Sequence, residues 1–310
     1  MNQKRDLVSI SDLSKAECIG LLRRGAMHRT GSTHSSRPLE GKSLAMLFSK
    51  ASTRTRVSFD VGMFQLGGQA VVLSDKDSQI GRGEPIADTA RVLSGYVDGI
   101  MIRTFSHERV ETLAKWSTVP VINGLTDFNH PCQVLADLLT CISEFGEERL
   151  SNLKVTWIGD GNNMTRSWIN AAVLLGFELR LCGPEAYMLN DDFIAKAVND
   201  APNVNYVASP ILAARGVDVI TTDVWASMGD EAETETRLKA FDGYSVDSRV
   251  MAETNEASIF LHCLPVHRGE EASADVVDGP HSRVWIEAEN RLHVQKAILE
   301  WTVGGLDFIS

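Results

Sequence analysis

The chain has 310 residues, of which 44% are hydrophobic and 23% charged, and its formal net charge is -11 at pH 7. The length favours two domains of roughly 100 to 200 residues. The acidic balance argues against binding to nucleic acid or to an anionic membrane, and no apolar run approaches the ~20 residues that span a bilayer. The amino terminus resembles neither a secretory signal nor a transit peptide. Five cysteines without a CxxC pair predict reduced thiols, so we expect a cytoplasmic globular protein.

Strands and helices are predicted to alternate in the first half of the chain. Short β-rich runs occur at 43–48, 69–74, 97–104 and 119–124, and segments of helical period lie between them. Alternation of this kind predicts a parallel sheet whose two faces are covered by helices.

The segment HPCQVLADLLTCISEFG (130–146) is predicted to form a helix that ends at Gly146 and links two domains. A second alternating series follows, with a helix over Asn163–Leu175 and a last strand near 258–264. The fold class is therefore α/β, with two doubly wound parallel-sheet domains linked by helices. The last predicted helix, about 287–303, could pack on either domain.

The stretch SKASTRTRVSFDVG places hydroxyl groups and two arginines at a predicted strand-to-helix turn. Backbone N–H groups and the positive end of the helix dipole bind anions at such a turn. Ser52, Thr53 and Thr55 add hydroxyl donors, and Arg54 and Arg56 add guanidinium groups suited to tetrahedral oxyanions. The stretch predicts a phosphate site. The alternative is that Ser52 only caps the helix and the arginines are surface charge.

Short motifs along nearly the whole chain resemble the transcarbamoylase family. They are STRTR (52–56), SQIG (78–81), HPCQ (130–133), GDGNN (159–163), DVWASMG (223–229), HCLP (262–265) and EAENR (287–291). Enzymes of this family transfer a carbamoyl group from carbamoyl phosphate to an amine. The SMG and HCLP motifs resemble the ornithine-type members. The resemblance therefore implies L-ornithine as the amine, and citrulline and phosphate as products. It implies a role in arginine metabolism, either in arginine biosynthesis or in the arginine-degrading direction.

The resemblance also implies that each of the two domains binds one substrate. Residues 1–140, together with the C-terminal helix within 287–310, are expected to bind carbamoyl phosphate, and residues 150–286 to bind ornithine. Family members are typically trimers or assemblies of trimers. The implied partners are therefore the two small-molecule substrates and further copies of this chain.

The family assigns one group of residues to carbamoyl phosphate. Its members here are Ser52, Thr53, Arg54, Thr55, Gln79, Arg103, His130, Gln133, Cys263, Leu264 and Arg291. Gln79 corresponds to a residue of a mobile loop that often comes from the neighbouring subunit, whereas Arg56 corresponds to a more structural position. Without the resemblance, Arg103 and Arg291 would be read as surface charges.

A second group is assigned by resemblance to ornithine and comprises Asn163, Asp223, Ser227 and Met228. Asp223 is expected to bind the α-amino group, and Cys263 to act as the proton acceptor. His130 and Arg103 are expected to polarise the carbonyl, so these two residues and Cys263 form the predicted catalytic set. The attacking amine has an ordinary pKa near 10.4 and must lose a proton, which closure of the two lobes around it is expected to favour. No metal or organic cofactor is expected.

Rival interpretations stay open on the sequence alone. Within the family, the amine could be aspartate, putrescine or an N-acylated ornithine. An NAD-dependent dehydrogenase is suggested by GDGNN, although only Gly159 and Gly161 fit the dinucleotide pattern. A zinc site could use His262, Cys263 and His267, although no second ligand cluster accompanies them. A catalytically inactive relative is also compatible with intact motifs.

The chain departs from the family pattern just before STRTR. It reads Ser49-Lys50 where many ornithine-type members have Glu-Lys. The missing acid affects none of the expected substrate contacts.

Overall fold

A computed structural model describes residues 4–33, 37–75, 83–226 and 233–308. The chain divides into two compact units. Unit 1 consists of Met1–Leu139 and Glu289–Ser310, and unit 2 of Thr140–Ala288. No helix in these ranges is long and apolar enough to cross a membrane. All five cysteines are free thiols.

Unit 1 alternates strands with helices, as the sequence predicts. Its elements are α1 (Lys15–Arg29), β1 (Ser43–Phe48), α2 (Thr53–Gln65), β2 (Gln69–Ser74), α3 (Ile86–Ser94), β3 (Gly99–Arg103), α4 (His107–Trp116), β4 (Val121–Leu125) and the first part of α5 (Pro131–Phe145). The chain returns to unit 1 in the second part of the last helix, α13 (Val284–Thr302).

The sheet of unit 1 is parallel throughout, with the strand order β2-β1-β3-β4 within the described residues. The chain leaves β1 toward β2 on one side and then crosses to β3 on the other. Open α/β sheets bind ligands where the strand order reverses in this way, beside the carboxyl ends of the strands. In unit 1 these are the ends of β1 and β3, at Phe48 and Arg103, which are paired in the sheet.

Helix α2 buries some of its apolar side chains and exposes others. Phe59 and Met63 are fully buried, and Gly62 faces Lys296 and Leu299 of α13. Val57 and Phe64, which helical spacing places together, are instead 53% and 78% exposed. Periodicity groups side chains on one face of a helix but does not say which face the core covers.

Unit 2 contains the second alternating series. Its elements are the end of α5, β5 (Lys154–Ile158), α6 (Asn163–Leu175), β6 (Glu178–Cys182), α7 (Glu185–Met188), α8 (Asp192–Asp200), β7 (Val204–Tyr206), α9 (Pro210–Ala214), β8 (Val219–Thr222), α10 (Thr234–Ala240), α11 (Ser248–Met251), β9 (Ile259–His262), α12 (Ala274–Val277) and the start of α13.

The sheet of unit 2 is also parallel, in the order β7-β6-β5-β8-β9 within the described part of the chain. Its order reverses between β5 and β8. The segments after these strands carry Asn162 and Asp223, and Cys263 follows the neighbouring β9. The predicted fold class is confirmed: two doubly wound parallel sheets are linked by helices, and the C-terminal helix joins unit 1.

Candidate active site

The turn from β1 into α2 has the geometry of an anion site. Ser52 is the N-cap, with extended backbone, and its hydroxyl accepts a hydrogen bond from the Thr55 N–H at 3.1 Å. The first turn of α2 contains no acidic residue. The Ser52 hydroxyl proton and the positive end of the helix dipole therefore favour a negatively charged ligand.

Two arginines from distant parts of the chain meet at the hydroxyl of Thr55. Arg103 Nη1 lies 3.4 Å and Arg291 Nη2 lies 3.1 Å from Thr55 Oγ1, and all three side chains are at least 91% buried. A guanidinium group only donates hydrogen bonds, so both contacts use lone pairs of the hydroxyl oxygen. The single Thr55 proton is then available for donation to an acceptor such as a phosphate oxygen.

The β4–α5 loop places His130 at the start of α5. Thr126 and Asn129 close this loop, because the Thr126 N–H donates to the Asn129 carbonyl at 3.0 Å and the Asn129 N–H donates to the Thr126 hydroxyl at 3.2 Å. Burial, reinforced by the charges of Arg291, Arg103 and Arg54, holds the pKa of His130 well below its ordinary value. The imidazole is therefore neutral near pH 7, and one ring N–H can polarise a carbonyl by donating a hydrogen bond.

Gln133 connects the same cluster to the interior of α5. Its Oε1 accepts from Arg291 Nη1 at 2.5 Å, and its Nε2 donates to Asp137 Oδ1 at 2.8 Å. Gln133 and Asp137 are 1% and 0% exposed. The amide therefore lies between a cationic donor and a carboxyl acceptor.

In unit 2, Asp223 lies directly after β8 and is 9% exposed. Its Oδ1 accepts from the Val224 N–H at 2.8 Å and its Oδ2 from Asn162 Nδ2 at 3.2 Å. Burial raises the pKa of Asp223, and hydrogen bonds from Cys263 and from the Val224 backbone oppose that rise. A buried carboxylate of this kind is suited to pairing with a substrate ammonium group.

The segment after β9 has an unusual backbone that a buried histidine supports. Leu264 has φ +59°, which is uncommon for a residue with a side chain. Its N–H donates to His262 Nδ1 at 2.9 Å, so that nitrogen carries no proton. His262 Nε2 then donates to Glu271 Oε1 at 3.1 Å. These contacts orient the backbone on both sides of Cys263.

The structure joins seven of the fifteen predicted site residues by hydrogen bonds, in two groups, one in each unit. Hydrogen bonds in unit 1 join Ser52, Thr55, Arg103, Gln133 and Arg291, and Asp223 is bonded to Cys263 in unit 2. Thr53 and Arg54 lie at the exposed start of α2, and so does the lower-ranked Arg56. Gln79, Ser227 and Met228 lie outside the described residues.

Two residues of these groups were not predicted from the sequence. Asn162 is the N-cap of α6, and its side chain donates to Asp223; Asn163, which is predicted to bind the carboxylate end of ornithine, is the first helical residue. The sequence predicts Asp137 only as part of a linking helix. Its i,i+4 spacing from Gln133 was the available signal.

Two groups of side chains in the described residues could hold a metal ion. One combines Asp223, His262 and Cys263, and the other His267 with Glu270 and Glu271. The zinc alternative grouped His267 with His262 and Cys263, whereas the structure places His267 in the separate second group. The first group consists of residues for which the family resemblance implies an organic substrate.

Two sequence models of one protein family match almost the whole chain. The sequence model described as "Aspartate/ornithine carbamoyltransferase, carbamoyl-P binding domain" matches residues 5–143. The model described as "Aspartate/ornithine carbamoyltransferase, Asp/Orn binding domain" matches residues 151–302. The chain belongs to the aspartate/ornithine carbamoyltransferase family.

Individual members of the family are similar over nearly their full length. The ornithine carbamoyltransferase of Syntrophotalea carbinolica is 51% identical over 300 residues, covering 96% of this chain and 98% of that protein. The solved ornithine carbamoyltransferase of Pyrococcus furiosus has a TM-score of 0.91 at 46% identity and covers 98% of both chains. The enzyme from Burkholderia thailandensis E264 has a TM-score of 0.87 at 44% identity, covering 96% of this chain and 98% of its own.

Proposed function

We propose that this protein is an ornithine carbamoyltransferase, which forms L-citrulline and phosphate from carbamoyl phosphate and L-ornithine. The convergence of Arg103 and Arg291 on Thr55, at the N-terminus of α2, carries the proposal. It supplies positive charge and directed donors for a phosphate group within a chain of the carbamoyltransferase family. The ornithine carbamoyltransferases that resemble the chain over nearly its whole length support the choice of amine.

The group in unit 1 would bind carbamoyl phosphate. Ser52, Thr53, Arg54 and Thr55 hold the phosphate, and Arg103 and Arg291 neutralise its charge. Because negative charge accumulates on the phosphate as it leaves, guanidinium groups that already point at it stabilise the transition state more than the substrate. Gln79 is included by family resemblance alone.

The carbonyl end would be polarised by neighbouring neutral groups. Neutral His130 donates a hydrogen bond to the carbonyl oxygen, and Gln133 contacts the amino group. A neutral histidine is suited to this task, because donation to a developing oxyanion requires an N–H but no net charge.

The group in unit 2 would bind ornithine. Asp223 pairs with the α-ammonium group, and Asn163, Ser227 and Met228 bind the carboxylate end. By family resemblance, Cys263 in its thiolate form accepts a proton from the δ-ammonium group, and Leu264 borders the carbamoyl group through its backbone carbonyl. The neutral δ-amine attacks the carbonyl carbon and the C–N bond forms. The C–O bond to phosphate breaks as the tetrahedral intermediate collapses, and the proton shed by the attacking nitrogen leaves with the phosphate.

Other amines are less compatible with this arrangement. Putrescine has no α-carboxylate for the segment after Asp223 to bind, and aspartate is disfavoured by the SMG and HCLP motifs. An N-acylated ornithine lacks the α-ammonium charge that would pair with the buried Asp223 carboxylate.

We further propose that the enzyme assembles as a trimer or a multiple of trimers and serves arginine biosynthesis in the cytoplasm. The exposed Val57 and Phe64, seven residues apart on α2, offer an apolar face that a second copy could cover. Five free thiols are consistent with a reducing compartment.

The deciding experiment is a citrulline assay with purified protein, carbamoyl phosphate and each amine in turn, in buffer containing a chelator. Ornithine should give the highest kcat/KM, and Arg103→Ala should lower it by at least about 100-fold. Absence of citrulline from the wild-type protein, or a clear preference for another amine, would refute the proposal. Loss of activity on chelation alone would show that a metal takes part.

A further inference from the structure

Asp137 lies one helical turn after Gln133 on α5, and neither residue is more than 1% exposed. The carboxyl oxygen Oδ1 accepts from Gln133 Nε2 at 2.8 Å. On the other side of the amide, Oε1 accepts from Arg291 Nη1 at 2.5 Å. The Gln133 amide is thus bonded at both ends inside unit 1.

These two contacts select one orientation of the amide. The oxygen and nitrogen of a glutamine side chain are similar in size, so packing alone does not prevent a flip. A carboxylate oxygen accepts hydrogen bonds, whereas a guanidinium group only donates them. A flipped amide would set its NH₂ against Arg291 and its oxygen against Asp137, and both hydrogen bonds would be lost in a buried site.

The fixed orientation has a consequence for substrate recognition. A carbonyl oxygen has two lone pairs, so Oε1 can accept from Arg291 and from a second donor. Carbamoyl phosphate carries an NH₂ group on its acyl carbon, whereas acetyl phosphate carries a methyl group that cannot donate. An oxygen in this place therefore distinguishes the two acyl phosphates.

We propose that Asp137 is a positioning residue, which holds the Gln133 amide so that its oxygen recognises the amino group of the carbamoyl substrate. The inference rests on the proposed function, in which Gln133 contacts that amino group. In this proposal Asp137 contacts the Gln133 amide and not the substrate. It acts by binding Nε2 and so directing Oε1 toward the substrate.

The test compares three ligands of the same site in Asp137→Ala. For carbamoyl phosphate the KM is measured. For acetyl phosphate and inorganic phosphate the competitive inhibition constants are measured. Loss of one well-placed hydrogen bond should raise the KM for carbamoyl phosphate about tenfold. The constants for the other two ligands, which offer no N–H, should change less than about twofold. Equal changes for all three ligands, or no change for any, would overturn the inference.

Two control variants separate positioning from general damage. Asp137→Asn keeps an oxygen acceptor of the same shape and should stay within about threefold of wild type. Glu300→Ala removes another buried carboxylate of unit 1, which binds Arg24, and should lower stability without changing ligand selectivity. A tenfold loss of selectivity in Glu300→Ala, or in Asp137→Asn, would count against the inference.

A double-mutant cycle makes the test specific to Gln133. Gln133→Met has no amide to orient, so adding Asp137→Ala to it should change the KM for carbamoyl phosphate no further. If the fold-change in KM for the double variant equals the product of the two single fold-changes, Asp137 acts independently of Gln133 and the inference is overturned. If Asp137→Ala does not fold, as judged by circular dichroism, Asp137→Ser makes the same comparison with a smaller loss of volume. Citrulline formation by the wild-type protein tests the proposed function independently of these variants.

Discussion

Thr55 and Arg291 are 236 positions apart in the chain, yet a guanidinium nitrogen of Arg291 donates to the Thr55 hydroxyl at 3.1 Å. Helix α13 brings this arginine into unit 1, and α2 presents the threonine at its first turn. The contact makes the last helix of the chain part of the proposed phosphate site.

Thr55→Val tests that contact with little change of shape. The substitution removes the hydroxyl at which Arg103 and Arg291 converge, and a hydrogen bond to a charged group contributes roughly 1.5 to 3 kcal/mol. We expect the KM for carbamoyl phosphate to rise about 10- to 100-fold in steady-state assays. The matched control is Thr89→Val on α3, which removes a buried hydroxyl that donates to Glu84. Similar KM values for the two variants would contradict the assignment.

Asp223→Asn removes the negative charge proposed to bind the α-ammonium group of ornithine. The KM for ornithine should rise about 10- to 100-fold, while the KM for carbamoyl phosphate changes little. Asp218→Asn is the control, because Asp218 is also buried but precedes the opposite end of β8, where it binds the Lys154 N–H at 3.0 Å. It should lower stability and leave both KM values near wild type. A rise in both KM values of Asp223→Asn would argue for a structural role instead.

The buried His130 should make stability sensitive to acid. Its pKa is lowered in the folded protein from an ordinary value of 6.5, so the unfolded chain binds a proton more readily. The free energy of unfolding therefore falls as the pH drops below about 6.5 and continues to fall until the pH reaches the folded-state pKa. At most about 1.4 kcal/mol is lost per pH unit from this residue.

His130→Gln removes that titration. In urea unfolding between pH 7 and pH 5, the variant should lose less stability than the wild type. Parallel pH profiles for the two proteins would show that His130 does not titrate with a depressed pKa.

The reaction should accelerate as the substrate amine loses its proton. An amine like that of lysine, with a pKa near 10.4, becomes about tenfold more deprotonated per unit between pH 7 and pH 9. We expect kcat/KM for ornithine to rise with a slope approaching one on a logarithmic plot, until another step limits the rate. A flat profile from pH 6 to 9 is incompatible with attack by the neutral amine when product release is not limiting.

The exposed face of α2 predicts how assembly can be disrupted. Replacing both Val57 and Phe64 with aspartate places charge on a surface that is proposed to be covered by another copy. Light scattering should show a shift from the assembled form toward the monomer. Val173→Asp, at a residue of α6 that is 58% exposed, should leave the assembly intact. Dissociation in the control, or none in the double variant, would place the interface elsewhere.

The sequence by itself determined the features that depend on residues close together in the chain, namely the secondary structure, the helix cap at Ser52 and the family motifs. Alternation of strand and helix patterns predicted both parallel sheets, and α6 has the predicted bounds, Asn163–Leu175. Ser52 was recognisable as a cap because the capping preference depends on the hydroxyl and its position at the helix start. The motifs identified the family, and with it most members of the candidate site.

Only the tertiary structure decided which distant groups meet and in what orientation. Arg291 reaches Thr55, and Arg291 with Asp137 orients Gln133, because folding brings α13, α2 and α5 together in unit 1. The exposure of Phe64 could not be predicted from the sequence either, since a periodic pattern does not say which face of a helix the core covers. Burial and charge, which set the protonation of His130 and Asp223, exist only once the chain is packed.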